Sequence, residues 1–329
     1  MRYGLGMKVP FECAGLGEQL SALLKIGNEV WAERPDLQEA FPAGGAAAAR
    51  DYWYWLNWHG TQVEHCRRAE EIRGLLPAFP PEHLAGRVFG EESNARDFVV
   101  SGLVNWRRFL DCLEAAGGKI GAGMRLLDFG AGCGRILRNF APEASAIKLQ
   151  ACDVDAESMR WVSENLPVEK AQAVPHLPPT EMPGEHFDFV YAYSVFSHLT
   201  EEASRMWLAE IQRILKPGGW AILTTQGRHV GKVILNGERS HPFPNAKTLK
   251  PEWKRFESEG FLFFPYGEVS SNLAENSEFF GEWDLEAYGS TFVSPAYVER
   301  VWTEFLDLQA LHEAPDAWQD FVVLQKRTS

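Results

Sequence analysis

The chain has 329 residues, 45% hydrophobic and 23% charged, with Asp+Glu 45 against Lys+Arg 32 and a net charge of −13. This composition excludes a disordered chain and a coiled coil, and the acidic balance argues against the wide basic surface that nucleic acid requires. No apolar run approaches the roughly 18 residues of a membrane helix, and the opening MRYGLGMKVPFECAG places Gly, Pro and Glu where a secretory signal needs an unbroken apolar stretch. A cytoplasmic location is the expectation. Cys13, Cys66, Cys112, Cys133 and Cys152 are odd in number and lack a C-x-x-C pair, so reduced thiols are expected rather than a disulfide framework or a zinc site.

Residues 1 to about 80 read as helical, with Leu20, Leu23, Leu24 and Ile26 at helical spacing and a second helix from Asp51 to Arg73. DYWYWLNWHG crowds Trp53, Trp55 and Trp58 around Tyr52 and Tyr54, which reads first as packing and second as a flat-ligand site. His59, His65 and Cys66 do not make a zinc set, and no metal site is expected. The proline-rich LLPAFPPEHL marks a boundary, so residues 1–93 form an expected helical extension and 94–329 the main domain.

Helical spacing returns from Asn94 to Ala116 and ends at GGKIGAG. Then strands alternate with helices. RLLDFGA (125–131), KLQACDVD (148–155), FDFVYAYS (187–194) and WAILTTQ (220–226) read as strands, and Glu201 to Leu215 as a helix stopped by KPGG. That alternation predicts an α/β fold with a parallel sheet covered on both faces. Residues 228–290 read as irregular, aromatic and turn-rich, an insert too long for a bare loop and therefore a cover or lid. Pro295 to Phe305 reads as a helix, and LDLQALHE and DFVVLQK as two closing strands joined near Pro315.

The chemistry concentrates in LLDFGAGCGRIL, where a strand ends at Asp128 and Gly130, Gly132 and Gly134 precede an expected helix. Glycines permit tight turning and close backbone approach, and a helix N-terminus offers free N–H donors. The spacing is G-x-G-x-G, whereas a dinucleotide fingerprint is G-x-G-x-x-G, and position 135 is Arg. Asp153 ends the next strand about 20 residues on, where a carboxylate can grip a ribose diol, and Asp155 is placed to cap a helix. Tyr193, Ser194, Ser197 and His198 end the next long strand, the edge at which open sheets bind ligands. His198 reads first as a histidine that hydrogen-bonds its loop and second as a general base. His229 is a second candidate base.

In this order, D-x-G-x-G-x-G, the acidic strand end, FDFVYAYSVFSHL and LKPGG resemble class I S-adenosylmethionine-dependent methyltransferases over residues 95–228. PPEHLAGRVFGEESNARDF is similar to the lead-in of bacterial members of the SVFSHL type, and RPDLQEAFP with WLNWHGTQVE resembles a segment of bacterial polysaccharide and glycosyl-transfer proteins. The resemblance implies a Rossmann-like sheet of seven strands, mostly parallel with the last antiparallel, a helical N-terminal cap and residues 228–290 as lid. It implies S-adenosylmethionine as methyl donor and S-adenosylhomocysteine as product. Asp128, Gly130, Ala131, Gly132, Gly134 and Arg135 would line the methionine part, Asp153 would take the ribose, and Val154 and Val174 would flank the adenine. Tyr193 and Ser194 would sit by the sulfonium, with His198, His229 and Tyr193 as the catalytic candidates. AQAVPHLPPTEMP departs from the pattern in lacking an acidic residue for the adenine amine.

The expected reaction is methyl transfer to an oxygen or nitrogen of a small molecule or glycan, such as a secondary metabolite. An amine or peptide N-methyltransferase, a nicotinamide-dependent oxidoreductase and a non-catalytic binding module remain the alternatives.

Overall fold

In the computed structural model, residues 77–89, 95–144, 146–238, 244–266, 287–314 and 318–328 are described. The expected helices before residue 77, the DYWYWLNWHG run, His59, His65, Cys66 and the turn at Pro315 lie outside them.

The centre is a seven-stranded sheet. In chain order it contains β1 (Arg125–Phe129), β2 (Lys148–Asp153), β3 (Lys170–Ala173), β4 (Phe187–Ala192) and β5 (Leu215–Thr225). A separate pair, β6 (Phe261–Pro265) and β7 (Gly289–Val293), comes next, and β8 (Asp307–His312) and β9 (Asp320–Gln325) complete the main sheet. The strand order is β3-β2-β1-β4-β5-β9-β8. β1 to β5 pair in parallel, and β9 runs antiparallel to both β5 and β8. The chain winds one way from β1 to β3 and the other from β4 onward. The switch falls between β1 and β4, and ligands bind outside the strand ends at such a switch.

Successive side chains on a strand point to opposite faces. Leu126, Phe189, Tyr191, Phe321 and Val323 join one apolar cluster, whereas Leu127, Val190, Val322 and Leu324 join the other. The first face is covered by α1 (Glu82–Phe89), α2 (Ala95–Ala115) and α3 (Ala156–Asn165). The second is covered by α4 (Glu201–Ile214), followed much later in the chain by a short helix, Pro295–Val301. Cys112, Cys133 and Cys152 are unpaired and buried. Burial pushes the Cys112 thiol up to about 11 and the Cys133 thiol up to about 12, so both stay protonated and inert.

Three elements depart from expectation. The glycine loop does not open an α-helix; it continues as turns into a 3-10 helix, Leu137–Glu143. Asn139 explains this locally. Its side-chain amide donates to the carbonyls of Arg135 and Ile136, both at 3.2 Å, competing for acceptors that an α-helix would give to backbone N–H groups. The helix ends at KPGG as expected, but β5 begins at Leu215 and runs through KPGG, ahead of the expected start at Trp220. The Gly218 N–H donates to the Lys326 carbonyl and the Lys326 N–H to the Gly219 carbonyl, which extends the ladder with the chain end.

The insert is also regular where it is described. It holds α5 (Arg228–Leu235), α6 (Ala246–Glu259) and the β6–β7 pair around a core of Val230, Ile234, Leu249, Phe256, Leu262, Phe264 and Phe292. With these named, Pro295–Val301 is α7.

Helix α1 is fastened to the sheet's ligand edge. Arg87 meets Asp155 at 2.8 Å and Glu157 at 2.9 Å, and His83 meets Glu157 at 3.0 Å. These pairs are partly exposed, so Arg87→Ala is expected to cost about 1 kcal/mol. It should also speed amide hydrogen exchange across Glu82–Phe89 relative to the rest of the sheet; unchanged exchange there would show that the ion pairs do not hold α1.

Candidate active site

A cavity of about 1250 Å³ opens at the switch between β1 and β4. Its floor is the loop after β1, with Gly130 and Gly132 facing the space. Both adopt left-handed conformations, φ 76° and 51°. A Cβ on Gly130 would strike Val195 at 2.3 Å and one on Gly132 would strike Val88 at 2.5 Å. Both valines are themselves cavity wall. The glycines therefore let the loop turn and let two neighbouring elements close over it.

The end of β2 supplies Asp153, Val154 and Asp155, all on the cavity. One Asp153 carboxylate oxygen accepts from the Gly132 N–H at 2.7 Å, and the other from the Asp155 N–H at 2.9 Å. Burial raises the Asp153 pKa against the pull of those N–H donors, and the charge on Asp155 adds to the rise. Asp155 caps α3, accepting from Glu157 and Ser158 N–H, as the sequence predicts. Burial opposes its ionisation, but the Arg87 and Ser158 donors win and hold its carboxyl below the usual range.

Asp128 lies beneath the loop at 3% exposure and does not line the cavity. Burial drives its pKa up to about 7; Tyr191 and Arg135 pull it down, while the charge of Asp153 pushes it further up. Ala131 and Gly134 are also outside the wall, and Gly134 instead packs toward Leu166. Arg135 does reach the cavity. Its guanidinium lies 4.9 Å from the centre of the Tyr193 ring and donates to the Ser101 hydroxyl at 3.1 Å. Val174, after β3, forms a wall with His176 and Leu177, so this region is built without a carboxylate.

The loop after β4 carries Tyr193, Ser194, Val195 and His198 into the same space. The insert fixes this loop. The Gly289 N–H donates to the His198 carbonyl at 3.0 Å, and the Thr291 N–H to the Ser197 carbonyl at 2.8 Å. The His198 ring stacks on Tyr288, with centroids 5.1 Å apart and planes at 22°. Its Nδ1 lies 3.0 Å from the Gly289 carbonyl oxygen and 2.9 Å from the Tyr266 hydroxyl, and its Nε2 lies 3.2 Å from Ser194 Oγ. Burial raises the Tyr288 phenol well above its ordinary value, with smaller contributions from Tyr266 and Asp153.

The structure thus gathers Gly130, Gly132, Arg135, Asp153, Val154, Val174, Tyr193, Ser194 and His198 on one cavity. His229 is not among them. It is exposed on α5, so placement at the strand edge by sequence did not place it at the site. The sequence foretold the helix α2 but not its role at the cavity, where its Asp97, Val100, Ser101, Val104 and Asn105 form the opposite wall. Their spacing at i, i+3, i+4, i+7 and i+8 was the available signal. Trp318 was missed as well, and it had no local signal. Among the described residues, no three His, Cys, Asp or Glu groups could hold a metal ion, and no helix is long and apolar enough to cross a membrane.

Comparison with known proteins gives this geometry a family. A family model described as a methyltransferase domain matches residues 104–271, just over half of the chain. No curated protein matches. Among solved structures, a SAM-dependent methyltransferase from Methanosarcina mazei is 14% identical, covering 64% of this chain and 95% of its own, with a TM-score of 0.42. An S-adenosylmethionine-dependent methyltransferase from Mesorhizobium loti is 12% identical over 66% of this chain and 96% of that one, with a TM-score of 0.44. PKMT2 from Rickettsia typhi, solved in complex with AdoHcy, is 14% identical over 70% and 54%, with a TM-score of 0.41. The assignment rests on the family model, and the chain belongs to the methyltransferase-domain family as a class I S-adenosylmethionine-dependent methyltransferase.

Proposed function

We propose that this enzyme methylates an oxygen or nitrogen of a small molecule or glycan held between α2, the loop after β4 and the insert. The observation that carries the proposal is a continuous cavity running from the glycine loop and Asp153 to Ser194 and His198. At about 1250 Å³ it exceeds the upper range of roughly 1,000 Å³ for one drug-sized ligand, which leaves space for a donor and an acceptor together.

The residues fit S-adenosylmethionine. Gly130 and Gly132 admit no side chain without displacing the Val195 and Val88 walls, so bare backbone faces the ligand. Asp153 keeps carboxylate lone pairs beyond its two N–H partners for a ribose diol. Val154, Val174 and Trp207 offer apolar surface to a purine. When bound, S-adenosylmethionine supplies a methyl group already activated for displacement. Tyr193 and Ser194 orient the acceptor, and His198 takes the proton it gives up. The insert and α2 exclude water.

Incubating the enzyme with methyl-labelled donor and small-molecule or glycan extracts, followed by mass spectrometry of the products, tests this reading. Label in an O- or N-methyl small molecule or glycan supports it, and label found only in protein refutes it. Asp153→Ala is expected to weaken S-adenosylhomocysteine binding by about 10- to 150-fold, the cost of a hydrogen bond to a charged group. Calorimetric titration showing wild-type affinity would remove Asp153 from the ribose.

A further inference from the structure

We propose that Ser194 carries the acceptor's proton to His198. This deepens the methyl-transfer reading above and rests on it.

The tautomer comes first. A carbonyl oxygen can only accept, so the Gly289 oxygen 3.0 Å from His198 Nδ1 favours the proton on Nδ1, with the Tyr266 hydroxyl, 2.9 Å from the same nitrogen, as a second acceptor for it. Nε2 of the neutral ring is then bare and accepts from Ser194 Oγ at 3.2 Å. The Tyr288 stack holds the ring plane.

Ser194 is prepared for this role by backbone and side chain alike. Its φ of 61° lies in the left-handed region, which serine rarely adopts. The hydrogen bond from its N–H to Thr224 Oγ1 at 2.8 Å holds it there. Ser197, fully buried, lies 3.1 Å from Ser194 Oγ. With Ser197 donating to Ser194 and Ser194 donating to His198, one lone pair of Ser194 Oγ remains. Ser194 lines the cavity, so that lone pair is available to an acceptor's O–H.

The proton and electrons balance. The acceptor oxygen bonds the methyl carbon as the carbon–sulfur bond breaks, with its electron pair left on sulfur. The acceptor's proton passes to Ser194 Oγ as the serine's own proton passes to His198 Nε2. One positive charge leaves the donor sulfur and one appears on the imidazole.

Nitrogen-15 NMR of histidine-labelled protein reads the tautomer without any acceptor. The expected result is a protonated Nδ1 and a bare Nε2 in the neutral ring. Methyl-labelled donor is then offered with a panel of phenols, sugars and primary amines. The acceptor that takes the label then serves for the rate measurements. Ser194→Gly, which accepts φ 61° without strain, should lower the rate by about 10²-fold while keeping S-adenosylhomocysteine affinity. Protonated Nε2 or an undiminished rate in Ser194→Gly overturns the relay. No S-adenosylhomocysteine binding overturns the methyl-transfer reading and the relay with it, whereas binding with Nε2 protonated overturns the relay alone.

Discussion

His198→Ala is expected to lower turnover by about 10²- to 10⁴-fold, the span of a lost general base, and to leave S-adenosylhomocysteine affinity unchanged. His198 does two things at once in this fold. Its Nδ1 joins the loop after β4 to Gly289 of the insert, and its Nε2 faces Ser194. Alanine removes both, so a second variant separates them. His198→Asn places an amide donor near the position of Nδ1 and supplies no base. If His198 serves only to hold the loop, the Asn variant turns over near the wild-type rate. If it accepts a proton, Asn fails as Ala does. Steady-state rates on the acceptor found by product mass spectrometry decide between these outcomes.

Between pH 5 and pH 8, Asp128→Asn is expected to gain about 2–3 kcal/mol of stability relative to the wild type, measured without ligand by urea unfolding. Burial places the folded pKa of Asp128 at about 7, well above the value of about 4 for an exposed Asp. The folded state therefore binds a proton more tightly than the unfolded chain. Stability from this group is fully present below pH 4 and is lost as the pH rises through 7. Asparagine is neutral throughout and removes that slope. Asp155, held below its usual range by Arg87 and Ser158, slopes the opposite way in both proteins and cancels from the comparison. A constant difference between variant and wild type across this range would show that Asp128 is ionised in the fold at pH 5.

The parallel sheet was legible because its central strands are runs of apolar residues bounded by turn residues, as in FDFVYA. β3 is different. KAQA has four residues, none fully buried, and no periodicity to read. The 3-10 helix after the glycine loop was hidden because ILRNF has helical spacing, while one side chain, Asn139, draws the backbone acceptors away. In the insert, Val230 with Ile234 and Leu249 with Phe256 keep helical spacing that the surrounding aromatics obscured.

The cavity wall at the ends of β1 and β2 was largely readable, since Gly130, Gly132, Asp153 and Val154 sit at fixed offsets from strand ends. The surroundings of the His198 ring were not. Tyr266 and Tyr288 reach His198 from 68 and 90 residues away in sequence, and only the pairing of β7 with the loop after β4 brings them there. His198 and His229 illustrate the limit. Both were expected at the same strand edge, and tertiary packing put one on the cavity and the other on an exposed helix.

Soaking or co-crystallisation with S-adenosylhomocysteine tests the central claim most directly. The account predicts the ribose hydroxyls on the Asp153 carboxylate, the purine between Val154 and Val174, and the sulfur directed toward Ser194. Density for the nucleoside elsewhere, or a cavity closed by Val88 and Val195 with Asp153 bonded only to the Gly132 and Asp155 amides at saturating ligand, would contradict it.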